Sequence, residues 1–167
     1  MSEIERKKAD FIRAYDEYAD AIYRFCILKV RDKNLSTDIT QETFLKAWEY
    51  ISSGKEVGHL RGFLYQIARN LIIDNHRKKK AESLETLAEM GFDPPTEKEA
   101  EPDYFLIQNA LAHVDALEEK YKDVLLLRYV DDMSVKEIAV LLKEQENTIS
   151  VRIHRALEKI RSQIKEN

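Results

Sequence analysis

The sequence predicts an all-α protein built as two small helical domains, three helices and then four, joined by a flexible acidic linker. Three observations lead there. The breakers are few and clustered: of the four glycines, Gly54, Gly58 and Gly62 share one short window, and Pro94, Pro95 and Pro102, the only prolines, share another. Between these windows, apolar residues recur at the three- and four-residue spacings of helices that bury one face. The charge also changes sign along the chain: −1 over residues 1–58, +5 over 59–80, −7 over 81–103, −3 over 104–142 and +2 over 143–167. Two basic stretches therefore flank an acidic one.

The first helix follows from Phe11, Tyr15, Tyr18, Ile22 and Phe25, one apolar stripe, and should end near Val30 before the polar run 31–37. Thr37 or Asp38 is the expected N-cap of a second helix, with Gln41 completing a capping-box pattern. That helix should turn Phe44, Leu45, Trp48 and Ile51 inward. Glycine density makes 52–62 a loop. A third helix over 63–80 would bury Leu64, Ile67, Ala68, Leu71 and Ile72. Residues 81–103, acidic and proline-bearing, read as linker, with room for a short helix near 84–90. Two helices over 104–117 and 120–130, a short one over 135–142 and a longer one over 148–164 complete the chain. The expected domains are thus 1–80 and 104–167.

Composition excludes several classes. A lone cysteine, Cys26, allows no intrachain disulfide and supplies no metal-ligand spacing. It lies in the apolar stripe of the first helix, as a small buried hydrophobe does. The four histidines are scattered, no Gly-rich phosphate loop is present, and no nucleophile–base pair is suggested, so neither an enzyme nor a cofactor or metal site is expected. The N-terminus lacks the apolar segment of a signal peptide, and no apolar run approaches bilayer length, so a cytoplasmic protein without membrane insertion is expected. The net charge of −4 argues against a generic nucleic-acid binder, but its distribution points the other way.

Three surfaces could carry function. Residues 134–161 have helix-turn-helix form: Ile138, Ala139 and Leu142 on one helix face Ile149, Ile153, Leu157 and Ile160 on the next, which Asn147 could cap. Thr148, Ser150, Val151, Arg152, His154 and Arg155 then point outward, the polar and basic mixture that a major-groove reader needs. An ordinary helical hairpin with a solvated basic face has the same periodicity. On the third helix Gln66, Asn70, Asp74 and Arg77 share a face, and Arg69 with the run 77–80 could hold phosphates. Lys55, His59, Arg61 and Phe63 lie in or beside the glycine loop, which could receive an unstacked base. Cations at a solvated helix end give the same pattern. On the second helix Asp38, Gln41, Glu42, Lys46 and Glu49 lie opposite the apolar stripe, as a solvated face or a docking surface for a partner protein. A stand-alone helix-turn-helix regulator and a helical adaptor without a DNA role are the rival classes.

The residues 38–48 (DITQETFLKAW), 61–70 (RGFLYQIARN) and 74–77 (DNHR) resemble the second conserved region of extracytoplasmic-function sigma factors. Residues 134–139 (SVKEIA) and 147–156 (NTISVRIHRA) resemble the fourth. The two matches cover nearly all of the chain outside the linker, in the family's order. This resemblance implies that Asp38, Gln41, Glu42 and Phe44 dock on the clamp helices of core RNA polymerase. It implies that Lys55, His59, Arg61, Phe63, Arg69, Asn70, Asp74, Arg77 and Lys78 open and read the minus-ten element of promoter DNA. Thr148, Ser150, Val151, Arg152, His154 and Arg155 would read the minus-thirty-five element. The linker would thread toward the polymerase active-site cleft, and an anti-sigma factor would be a further partner. The chain departs from the family pattern at Phe63, where Trp is usual, at Glu118, where Pro is common, and at Lys143, often Gly. Ser150-Val151 stands where a basic residue and Ser are usual, which takes a charge off the reading surface.

Overall fold

The computed structural model describes residues 1–86 and 102–166, with side chains within 1–82 and 109–166. The described residues are helical, without strands, and the chain divides into two units, Met1–Ala88 and Glu89–Asn167.

The first unit packs three helices, α1 (Glu3–Val30), α2 (Lys33–Ser52) and α3 (Leu60–Thr86), each against the other two. A capping box opens α1: the Glu5 amide donates to Ser2 Oγ at 3.3 Å, and the Ser2 amide to Glu5 Oε2 at 2.8 Å. It ends at Val30, where Arg31 turns left-handed at φ 55°. Ile22, Phe25, Cys26, Leu64, Tyr65 and Ala68 are fully buried between the helices.

The second helix corrects the sequence reading. It starts at Lys33, capped by Asp32, whose Oδ1 accepts from the Leu35 amide at 3.0 Å. Thr37, Asp38 and Gln41 lie inside it and cap nothing. The stretch on either side of residue 38 looks polar, yet Ser36, Thr40 and Thr43 are buried. Thr40 and Thr43 donate their hydroxyls to the Ser36 and Ile39 carbonyls at 2.7 Å, so small hydroxyl residues serve as core. Leu45, expected inward, is 57% exposed, and Ala47 takes its place in the core.

The third helix is longer at both ends than 63–80. At its start the Phe63 amide donates to the His59 carbonyl and the Gly62 amide to His59 Nδ1, both at 3.0 Å. At its end the helix runs through Thr86, because 81–86 is acidic but holds no breaker, and Ala, Glu and Leu are good helix formers. The first residues assigned to the linker are therefore helix, and so are its last two, since α4 begins at Pro102. Proline suits a first helical position, whose amide needs no partner. The short helix near 84–90 falls mostly outside the described residues; 84–86 is the last turn of α3.

The second unit comprises α4 (Pro102–Asp115), α5 (Glu119–Leu125), a π-helical turn (Leu126–Val130), α6 (Val135–Leu142) and α7 (Glu146–Glu166). α7 is central and contacts α4, α5 and α6. The single helix expected over 120–130 is interrupted by the π turn, where the Asp131 amide reaches back to the Leu126 carbonyl at 3.1 Å. Tyr121 through Leu127, in α5 and the start of this turn, are buried without a gap. Leu117, Tyr121 and Leu125 meet Ala156, with Leu157 and Ile160 packed alongside.

Candidate nucleic-acid interface

In the second unit, α6 and α7 form the hairpin that the sequence suggested. Ser134 and Glu137 make a capping box at the start of α6, with bonds of 3.1 and 3.2 Å. The turn is tight: Lys143 is left-handed at φ 56°, ψ 44°, and the Glu144 amide donates to the Ala139 carbonyl at 3.0 Å. A non-glycine residue in this conformation costs roughly 1–2 kcal/mol. Asn147 lies inside α7 rather than capping it, since the helix starts at Glu146 and the Ile149 amide bonds the Gln145 carbonyl. Ile138, Ala139, Ile149 and Ile153 face inward as expected, joined by Leu141 and Ala156, so the opposite face of α7 is fixed.

That face carries the expected side chains. Ser150, Val151, His154 and Arg155 are exposed, while Thr148 and Arg152 are half-buried. Val151, 41% exposed, puts an apolar branch among polar neighbours, suited to a thymine methyl. Arg152 Nη2 meets Glu144 Oε1 at 3.3 Å across the turn, and His154 Nε2 lies 3.2 Å from Glu158. Arg155 has no hydrogen bond or ion pair among the described residues.

In the first unit the expected residues fall into three groups. Tyr50 and Phe63 rings lie 5.0 Å apart, and Lys55 Nζ sits 4.9 Å from the Tyr50 centroid. With Lys46, Glu49, Ser53 and Ile67 they wall an open pocket between α2 and α3. A cation beside two aromatic rings is a place where a base can stack. Tyr50 escapes the sequence reading because it reads as one more apolar residue near Trp48 and Ile51. His59 and Arg61 do not join this pocket. His59 caps α3 through Nδ1, and a Cβ at Gly62 would stand 3.1 Å from that atom, so glycine there lets the ring close. Arg61 lies over the Tyr65 ring at 5.8 Å.

Along α3, Asn70, Asp74, Arg77 and Lys78 are exposed and Arg69 is half-buried. Asp74, Arg77 and Lys78 line one side of a groove whose other side is Leu35, Asp38, Ile39, Glu42 and Lys46 of α2. The groove thus joins the second-helix face to the basic end of α3. On that face Asp38, Gln41 and Glu42 are exposed, and Glu42 meets Lys46 at 3.9 Å, a weak surface pair. Phe44 is 4% exposed, with its ring edge-on to Tyr15 at 4.8 Å and Phe11 at 6.1 Å. It supports the face from behind and is not part of it. Leu45, one turn beyond Gln41 and Glu42, is the apolar member of the surface.

Among the described residues no group of three His, Cys, Asp or Glu side chains could hold a metal ion. Burial pushes the Cys26 thiol up to about 11, against a smaller opposing hydrogen bond with Thr40, so it stays protonated. No described helix is long and apolar enough to cross a membrane.

Two family models match the chain, Sigma-70 region 2 over residues 14–82 and Sigma-70 region 4 over residues 107–160. The chain is 31% identical to the ECF RNA polymerase sigma factor SigW of Bacillus subtilis, over 96% of this chain and 93% of that protein. It is 30% identical to the ECF RNA polymerase sigma factor SigL of Mycobacterium tuberculosis, over 95% and 92%. Its fold is that of the sigma factor RpoE of Bartonella quintana, solved in complex with the anti-sigma factor NepR: TM-score 0.77 at 20% identity, covering 93% of this chain and 97% of that one.

Proposed function

This chain belongs to the extracytoplasmic-function group of sigma factors, and on that premise we propose how its surfaces divide the recognition of a promoter. As a sigma factor it binds core RNA polymerase and directs initiation at specific promoters, reading the minus-ten and minus-thirty-five elements. The observation that carries this is the pairing of region 2 and region 4 in one chain, in that order, on the two units. It makes no bond itself; phosphodiester chemistry is the polymerase's, and its place of action is the cytoplasm.

Residues 1–80 with the remainder of α3 form the polymerase-docking and minus-ten unit, residues 104–167 the minus-thirty-five unit, and the acidic stretch between them a tether. Asp38, Gln41, Glu42 and Leu45 form the docking face for the polymerase clamp, backed by Phe44. The mixture of acid, amide and one exposed leucine suits a protein partner better than DNA. Lys55 and Phe63, with Tyr50, receive an unstacked minus-ten base. Asn70, Asp74, Arg77 and Lys78, with Arg69, track the opened strand, and His59 and Arg61 hold the loop that leads to them. On α7, Thr148, Ser150, Val151, Arg152, His154 and Arg155 face the major groove of the minus-thirty-five element. An anti-sigma factor that covers these surfaces is the expected regulator, in keeping with the partner seen on RpoE of Bartonella quintana.

Run-off transcription with core polymerase on a genomic fragment library tests the reading. Added chain should create discrete new start sites that core alone does not use. A transcript pattern identical with and without the chain contradicts it.

A further inference from the structure

One cationic pocket of the second unit reaches beyond α7. Its walls are Lys120 and Tyr121 of α5 and Asn147, Thr148, Val151, Arg152 and Arg155 of α7, around a space of about 270 Å³. Three cations and two small polar side chains line it, and no carboxylate does. The two helices are locked together below it, since Tyr121 and Ala156 belong to one buried cluster. Lys120 is the cation that comes from outside the helix-turn-helix.

Two of its three cations are only loosely held. Lys120 Nζ lies 3.7 Å from Glu118 Oε2, with both side chains more than half exposed, and 5.0 Å from the Tyr121 ring centroid. Such a pair contributes little to stability. Lys159 Nζ lies 5.2 Å from the same ring, so two ammonium groups share Tyr121. Arg152 is held at 3.3 Å by Glu144. Arg155 has no partner among the described residues. Glu118 and Glu144 stand outside the pocket wall, each beside one of its cations.

We infer that this pocket seats one backbone phosphate of duplex DNA, with Lys120 as its α5 contribution and Glu118 and Glu144 as the internal anions that the phosphate displaces. The inference rests on the reading of α7 as the minus-thirty-five reader. The pocket shares Thr148, Val151, Arg152 and Arg155 with that face, so a duplex against α7 brings a strand over Lys120. Phosphate is also the anion that planar guanidinium groups and an ammonium bind together best. A contact of this kind fixes where the duplex sits and carries no sequence information.

The test uses the full chain, a short fluorescent duplex of arbitrary sequence and a salt series, with Lys120→Gln, Lys120→Arg, Glu144→Gln and Arg155→Gln. Lys120→Gln should weaken binding roughly three- to tenfold at low salt and reduce the log–log salt slope by about one, equally on duplexes of different sequence. Lys120→Arg should restore both, which ties the loss to charge and not to folding. Glu144→Gln should bind more tightly, since it releases Arg152. Wild-type binding and slope in Lys120→Gln, with a loss in Arg155→Gln, overturns the seat while leaving the α7 reading in place. Wild-type behaviour in both variants overturns the α7 reading as well. A Lys120→Gln loss confined to one sequence makes Lys120 a base reader and also overturns the seat.

Discussion

Phe44 and Leu45 are neighbours in sequence with opposite fates. Phe44 packs against Tyr15 and Phe11 in the core, and Leu45 stands in solvent beside Gln41 and Glu42. Phe44→Ala should therefore destabilise the first unit by about 3–5 kcal/mol in urea titration. Leu45→Glu should change stability by less than about 0.5 kcal/mol while weakening core polymerase binding roughly tenfold or more. Equal effects of the two on both measurements would remove Leu45 from the docking face. Cys26 gives a pH dependence. Its thiol is raised from the usual value near 9 to about 11, so between those values the unfolded chain has released a proton that the folded chain retains. Stability from this residue is whole below pH 9 and falls as pH rises toward 11, by up to roughly 1.4 kcal/mol per pH unit. In Cys26→Ala that part of the alkaline decline should be missing from a denaturation series; an unchanged decline would assign it elsewhere.

The elements show which signals a sequence carries. The end of α1 and the whole of α6 are legible because their apolar periodicity is unbroken and, in α6, Ser134 and Glu137 mark the start. The start of α2 is not, because Ser36, Thr40 and Thr43 look polar while bonding the backbone inside the core. Acidity made 81–86 resemble a linker, although helix formation depends there on the absence of Gly and Pro. The π turn leaves only a trace, the consecutive apolar run Val124–Leu127, which an ordinary amphipathic helix would not bury whole. The polar and basic faces of α3 and α7, which we propose bind DNA, are legible as surfaces because each lies on one helix. Tyr50 and Lys120 are not, because their pockets take residues from two helices that only the fold brings together. At the α6–α7 turn the left-handed Lys143 is a local fault with a simple remedy. Lys143→Gly should stabilise the second unit by about 1 kcal/mol in thermal unfolding without altering its DNA preference. A destabilised Lys143→Gly would mean that the side chain has a role beyond its backbone angle.

At the scale of the molecule, charge and division into units account for function together. The stretches 59–80 and 143–167 carry +5 and +2, and the residues between them, 81–142, carry −10. Each basic surface is small, and the acid between them opposes capture of either by DNA at random. On this surface Glu144 of the turn and Glu158 of α7 further occupy Arg152 and His154. Selectivity is then expected when polymerase fixes both units at promoter spacing, so that binding of one raises the effective concentration of the other. Equilibrium binding of a fluorescent promoter, mapped by the run-off experiment, tests this most directly, with the chain free and with it bound to core polymerase. The free chain should bind weakly and prefer the promoter over a scrambled duplex by no more than about tenfold, whereas the holoenzyme should prefer it by roughly a thousandfold or more. Tight, promoter-specific duplex binding by the free chain would contradict the account.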